Sequence, residues 1–190
     1  MSSKVYIALI HYPVYNKSRE IIASSISTSS IHDIARTCKT FGVKNFFIIT
    51  PLLRQQKLIE TIINHWRQGY GATYNPTRGV ALETIYIINT LEDCIHRIKT
   101  VESQSPKIVV TGAQAKVKCI EYDYFREMLH TSMSTTPILL LFGTGWGMED
   151  SIFLKADLCL KPIKGQGNYN HLSVRAAVSI ILDRLLAEKI

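Results

Sequence analysis

The chain has 190 residues, 46% of them hydrophobic and 19% charged, with a net charge of +7. These values exclude a disordered or fibrous polypeptide and predict one globular domain over residues 1–190, large enough to bury a core without disulfides or metal. Residues 1–60 hold eight Lys/Arg against three acids and the rest 14 against 12, so the N-terminal third carries +5 of the +7 and would attract a polyanion first.

In chain order, Val5–Ile10 is an apolar run ended by His11-Tyr12-Pro13 and predicts a buried strand. Polar Thr28–Ser30 opens a helix in which Ile31, Ile34, Ala35 and Cys38 recur at helical spacing until Gly42. Phe46–Ile49 predicts a strand, residues 53–66 a helix with Leu58, Ile62 and Trp66 on one face, and Thr84–Ile88 a strand. A helix over Leu91–Lys99, a strand over Lys107–Val110 and a helix over Tyr122–Leu129 follow. Ile138–Phe142 predicts an apolar strand, Asp157–Leu160 a short one, and His171–Glu188 the longest helix, with Leu172, Ala176, Ser179 and Leu182 along one side and Val178, Ile181 and Leu185 beside them. Strands alternating with helices predict an α/β fold with a mostly parallel sheet and helices on both faces.

Cys38, Cys94, Cys119 and Cys159 lack zinc or redox spacing, so no metal site is expected. Three of the four sit in apolar or mixed patterns and read as small buried hydrophobes, and a reducing, cytoplasmic compartment is expected. The start MSSKVYIALIHYP does not read as a signal peptide, and no run reaches the ~18 apolar residues of a membrane span.

Chemistry concentrates at two glycine loops. The strand ending Leu141-Phe142 runs into Gly143-Thr144-Gly145-Trp146-Gly147, where glycine lets backbone approach a ligand or take positive φ. The third glycine comes one residue early for a dinucleotide fingerprint, and the next strand begins about ten residues later, short for an ordinary crossover. A nucleotide-binding oxidoreductase is therefore the weaker alternative. The second loop, Pro162–Ser173, also joins a strand to a helix, with Asn170 as candidate N-cap. Both loops are expected to meet in one pocket at the carboxyl ends of neighbouring strands. Asp33 and Arg36, one helical turn apart, are expected to pair, as a surface ion pair or as an arginine poised for an anionic substrate. His11 and Tyr12 either line the same cleft or are half-buried residues.

These segments together resemble the SPOUT (α/β-knot) RNA methyltransferases. Asp33-Ile-Ala-Arg36 with Thr40-Phe-Gly42-Val is similar to the first motif of that superfamily, Leu141–Met148 to the second and Pro162–Ala177 to the third. The HDIAR, HW, FGTGWG and YNHLSVR segments are most similar to a little-characterised bacterial group near the tRNA guanine-N1 methyltransferases.

The resemblance implies a C-terminal trefoil knot and a homodimer with its active site at the subunit interface. It also implies S-adenosylmethionine bound around Thr111, Gly112, Leu141, Phe142, Gly143, Thr144, Gly145, Gly147, Ile163, Gly165, Asn170, His171, Leu172 and Ser173. Arg36 would be the catalytic arginine, oriented by Asp33. The substrate would be tRNA or rRNA, methylated at guanine N1 or ribose 2′-O. Asp33 departs from the asparagine of the 2′-O enzymes, and the C-terminal domain that supplies the base in the guanine-N1 enzymes is not expected within residues 1–190. A non-catalytic RNA-binding protein of the same fold is the second alternative.

Overall fold

The computed structural model describes residues 4–115, 117–167 and 169–188. The first half contains strands β1 (Val5–Ile10), β2 (Val14–Tyr15), β3 (Ile21–Ile22), β4 (Phe46–Ile49) and β5 (Ile85–Ile88), with helices α1 (Thr28–Thr40), α2 (Leu53–Arg67), α3 (Tyr70–Tyr74) and α4 (Pro76–Leu82). The second half contains α5 (Leu91–Glu102), β6 (Lys107–Val110), α6 (Tyr122–His130), β7 (Ile138–Gly143), α7 (Asp150–Leu154), β8 (Leu158–Cys159) and α8 (Val174–Leu186).

Six strands form one parallel sheet in the order β5-β4-β1-β7-β6-β8, while β2 and β3 make a small antiparallel hairpin. β1 is buried at every residue because both its faces are covered, which is why its sequence is apolar without alternation. Ile7 and Leu9 join the core layer under α1, α2, α6 and α8, and Tyr6, Ala8 and Ile10 join the layer under α5 and α7. Helices thus lie on both faces of the sheet, as expected.

α1 begins at Ser27, whose hydroxyl accepts from the Ser30 amide, and ends before Gly42 at φ +67°. Its buried face is Ile31, Ile34, Ala35 and Cys38. In α2 the inward face is Ile59, Ile62, Ile63 and Trp66. Leu58 instead points outward, because the helix packs one position round from the expected stripe. Between β4 and β5 the glycines and Pro76 separate α3 and α4, two short helices that the periodicity did not resolve.

α8 starts at Ser173, not Asn170: the Ser173 hydroxyl accepts from the Ala176 amide. Its core face is Val178, Ile181, Leu182 and Leu185, and Leu172 lies outside the helix. Cys38 and Cys94 are buried free thiols, whereas Cys119 and Cys159 are joined in a disulfide, a correction to four independent thiols. The pairing follows from β8 lying beside β6, with Ile120 bridged to Leu160. At the amino end of the sheet, the buried Glu102 carboxylate accepts from Tyr6 Oη at 2.5 Å and Lys44 Nζ at 2.6 Å and pairs with Lys4 Nζ at 3.0 Å. Among the described residues no helix is long and apolar enough to cross a membrane.

Candidate active site

The carboxyl ends of β1, β7, β6 and β8 lie side by side, and their loops carry the glycine-rich segments. β7 and β8 are not neighbours, as the two-loop pocket required: β6 runs between them, so the loop after β6 is a third wall. The link from β7 to β8 contains only the five-residue α7, enough to step over one strand.

The first glycine loop is stapled to the N-terminal hairpin. Trp146 N donates to Tyr15 O and Tyr15 N donates to Gly147 O, each at 2.9 Å. Gly145 sits at φ +58°, and a Cβ there would lie 2.8 Å from Tyr15 O. A Cβ on Gly143 would lie 2.7 Å from Met148 Cγ. At these two positions glycine is required by the chain's own backbone and side chains, which accounts for two of the motif's three glycines without a ligand. Gly147, at φ +105°, faces open space. Leu141 and Phe142 are buried in opposite core layers, and Leu141 O accepts from both Thr111 N and Thr111 Oγ1.

Thr144 closes a different chain. Its hydroxyl donates to Ile10 O at 2.9 Å and shares a short hydrogen bond with Ser24 Oγ, which in turn bonds His11 Nδ1 at 2.8 Å. His11 is buried, and burial lowers its pKa to about 4 against the smaller opposing effect of the Ser24 hydrogen bond. His11 therefore belongs beneath the glycine loop, whereas Tyr12 is exposed.

The second loop is tied to the one after β6. Asn170 Nδ2 donates to Ala113 O at 2.9 Å, Ile120 N to Cys159 O, and Lys161 N to Ile120 O. Gly165 and Gly167 have no atom within 4 Å of an added Cβ, and Gly112 is exposed. Ile163 is half-buried, Leu172 and His171 are exposed, and His171 stacks edge-on with Tyr169 at 5.3 Å. Asn168, within this motif, lies outside the described residues.

Ser173 links this loop to a cleft of about 490 Å³ between α1 and α8, lined also by Asp33, Arg36, Thr37, Arg175 and Ser179. Asp33 does not pair with Arg36. Its Oδ2 meets Arg175 Nη1 at 3.4 Å, and among the described residues Arg36 forms no ion pair. Thr37 and Ser179 hydroxyls meet at 3.1 Å across the same helix pair. Arg175 was invisible as a site residue in sequence because its partner lies on another helix; its spacing four before Ser179 on one helical face was the available signal.

Residues 4–187 match the family model for SAM-dependent RNA methyltransferases. The chain belongs to this family. A protein of Aquifex aeolicus with no assigned function is 35% identical over 187 residues, covering 98% of this chain and 90% of its own length. A tRNA (guanine-N(1)-)-methyltransferase of Oleidesulfovibrio alaskensis is 38% identical over 184 residues; this chain spans only 42% of its length. Among solved structures, a probable methyltransferase from Bordetella pertussis superposes with TM-score 0.65 at 15% identity, covering 96% of this chain and 94% of that one. The SpoU methyltransferase AviRb of Streptomyces viridochromogenes gives 0.60 at 14%, covering 96% and 58%. The chain thus shares the α/β architecture of the SpoU enzymes, and its membership of the family sets the oxidoreductase alternative aside.

The three loops fit S-adenosylmethionine unequally. The open backbone of Gly165 and Gly167 and the exposed Gly112, beside the partly exposed Ile163 and Leu172, offer hydrogen-bonding groups and apolar surface, whereas the Gly147 N–H and C=O are already bonded to Thr144 O and Tyr15 N. Gly143 and Gly145 are already filled by the protein itself.

Proposed function

We propose that this protein methylates tRNA or rRNA, at guanine N1 or a ribose 2′-hydroxyl, in the cleft between α1 and α8. The observation that carries the reading is the position of Ser173: it ends the open glycine loop and also lines the cleft that holds Arg36. Cofactor loop and candidate catalytic arginine thus share one wall.

When bound, S-adenosylmethionine supplies an electrophilic methyl group together with its own leaving group. The protein's share is positioning and charge. Backbone at Gly112 and Gly165, the side chains of Thr111, Ile163 and Leu172, and the Asn170–Ala113 tie are the candidate cofactor contacts. Arg36, uncommitted to any described carboxylate, would meet the phosphate or the developing negative charge of the acceptor. Asp33 acts one step removed, holding Arg175 at the mouth of the cleft.

The reading includes a trefoil knot, with the segment after β8 passing through the loop that follows β6. Hydrogen bonds from that loop to Cys159, Lys161 and Asn170, on either side of the glycines, support it. A homodimer completing the site and a cytoplasmic location are part of the same proposal. The half-exposed Asp33–Arg175 rim supports the dimer, being open on the side a second copy would close.

The test is methyl transfer from labelled S-adenosylmethionine to RNA from the source cell, followed by nucleoside mass spectrometry. Arg36→Ala is expected to lower kcat about 100-fold with cofactor affinity unchanged. Cofactor binding without transfer to any RNA would leave a non-catalytic RNA-binding protein as the answer.

A further inference from the structure

The helical segment between β4 and β5 has no role in the site just described, yet it is built as a rigid platform. Trp66, near the end of α2, is its keystone. Gly71 of α3 lies flat on the indole, so that a Cβ there would come within 2.7 Å of Cε3. A Cβ on Gly79 of α4 would lie 2.7 Å from Trp66 O. The Arg78 guanidinium stacks over the indole at 4.4 Å, and the His32 ring meets it edge-on at 5.5 Å. Glycine at both contacts allows α3 and α4 to seat directly on α2.

On the outer side of α3, Tyr70 and Tyr74 stack on each other with centroids 6.1 Å apart and planes at 23°. They are 76% and 73% exposed, the arrangement water opposes most for two large rings. Between β4 and β5 the segment holds Arg54, Lys57, Arg67 and Arg78 against Glu60 and Glu83, a net +2 with histidine neutral, with Arg67 and Glu83 4.0 Å apart. His32 meets Trp66 edge-on, and Arg36 follows His32 by one turn on α1, so the platform borders the stretch of α1 that carries Arg36.

We propose that Tyr70 and Tyr74 form a stacking platform for unpaired bases of the RNA substrate, flanked by the basic side chains of this segment, on the flank of α1 that carries Arg36. A ring face accepts any base, and the phosphates follow the net positive charge, so the surface suits single-stranded RNA beside the modified nucleotide. An apolar protein partner would not call for the positive charge. The proposal rests on RNA being the substrate and adds the place where the RNA is held.

The test uses the full chain, a fluorescein-labelled single-stranded oligoadenylate RNA read by anisotropy, and S-adenosylmethionine titrated by calorimetry. Tyr70→Ala/Tyr74→Ala is expected to weaken RNA binding tenfold or more and to raise the KM for RNA, with cofactor affinity and melting temperature unchanged. Tyr70→Phe/Tyr74→Phe, which keeps the ring faces, is expected to restore binding. Wild-type binding that the alanine variant retains overturns the platform alone. A change of oligomeric state in that variant, with RNA affinity kept, assigns the tyrosines to a protein interface and also overturns it. Failure of the wild type to bind any RNA overturns the platform together with the functional reading.

Discussion

Asp33 reaches across the cleft to Arg175, 3.4 Å away on α8, and not along its own helix to Arg36. The pair ties the first turn of α8, just after the cofactor loop, to the helix carrying the candidate catalytic arginine. Both side chains are about half exposed, so water screens the attraction and the pair contributes under ~1 kcal/mol to stability.

Its value should lie in placement. Asp33→Asn and Arg175→Met are each expected to leave the melting temperature nearly unchanged and to lower kcat/KM for RNA about tenfold. Asp33→Arg combined with Arg175→Asp should recover part of that loss. Steady-state kinetics beside thermal melts decide it: equal activity in all four proteins would remove the pair from the mechanism.

The two glycine loops should respond oppositely to a side chain. Gly165→Val, placed in open space, is expected to weaken S-adenosylmethionine binding about tenfold at unchanged stability. Gly145→Val meets Tyr15 O and an unfavourable φ, and should cost about 2 kcal/mol or more of stability. Calorimetric titration and urea unfolding of the two variants separate cofactor contact from packing.

His11 supplies a pH dependence. Its folded pKa of about 4 lies below the ordinary 6.5, so the unfolded chain takes up the proton first as pH falls. Stability should be flat for this group above pH 6.5 and should drop between about 6.5 and 4, by up to about 3 kcal/mol. In His11→Gln that part of the slope should vanish in urea unfolding measured across the range. An unchanged slope would show that His11 binds its proton equally well in the folded and unfolded chain.

Glu102 acts in the other direction. Burial alone would raise its pKa, but hydrogen bonds from Lys44, Tyr6 and Lys4 pull it down to about 2. Its contribution is present above the ordinary carboxylate pKa and is lost only as pH falls through about 2. Glu102→Gln is expected to cost about 2 kcal/mol at neutral pH, leaving Lys4 and Lys44 facing each other, with methyl transfer unaffected at low temperature.

Strands β1, β4 and β7 were legible because both their faces are buried and their sequences are unbroken apolar runs. α1 was legible from Ile31, Ile34, Ala35 and Cys38. The short α3, α4 and α7 were not, since five to seven residues carry too little periodicity to register. In the site, Arg36 and the open Gly165 loop stood out by type and motif. Arg175, Ser24 and the Trp66 keystone did not, because each acquires its meaning from a residue distant in sequence. The motif at Gly143–Gly147 was read for a ligand, whereas Tyr15 and Met148 explain two of its three glycines.

The staple between Tyr15 and the Gly145 loop also orders events in time. Residues 14 and 15 emerge first from the ribosome, but their partners at 145–148 emerge some 130 residues later. The staple and the central β1–β7 pairing can therefore close only late in synthesis. A chain truncated before β7 would expose the flank of β1 as an unpaired edge.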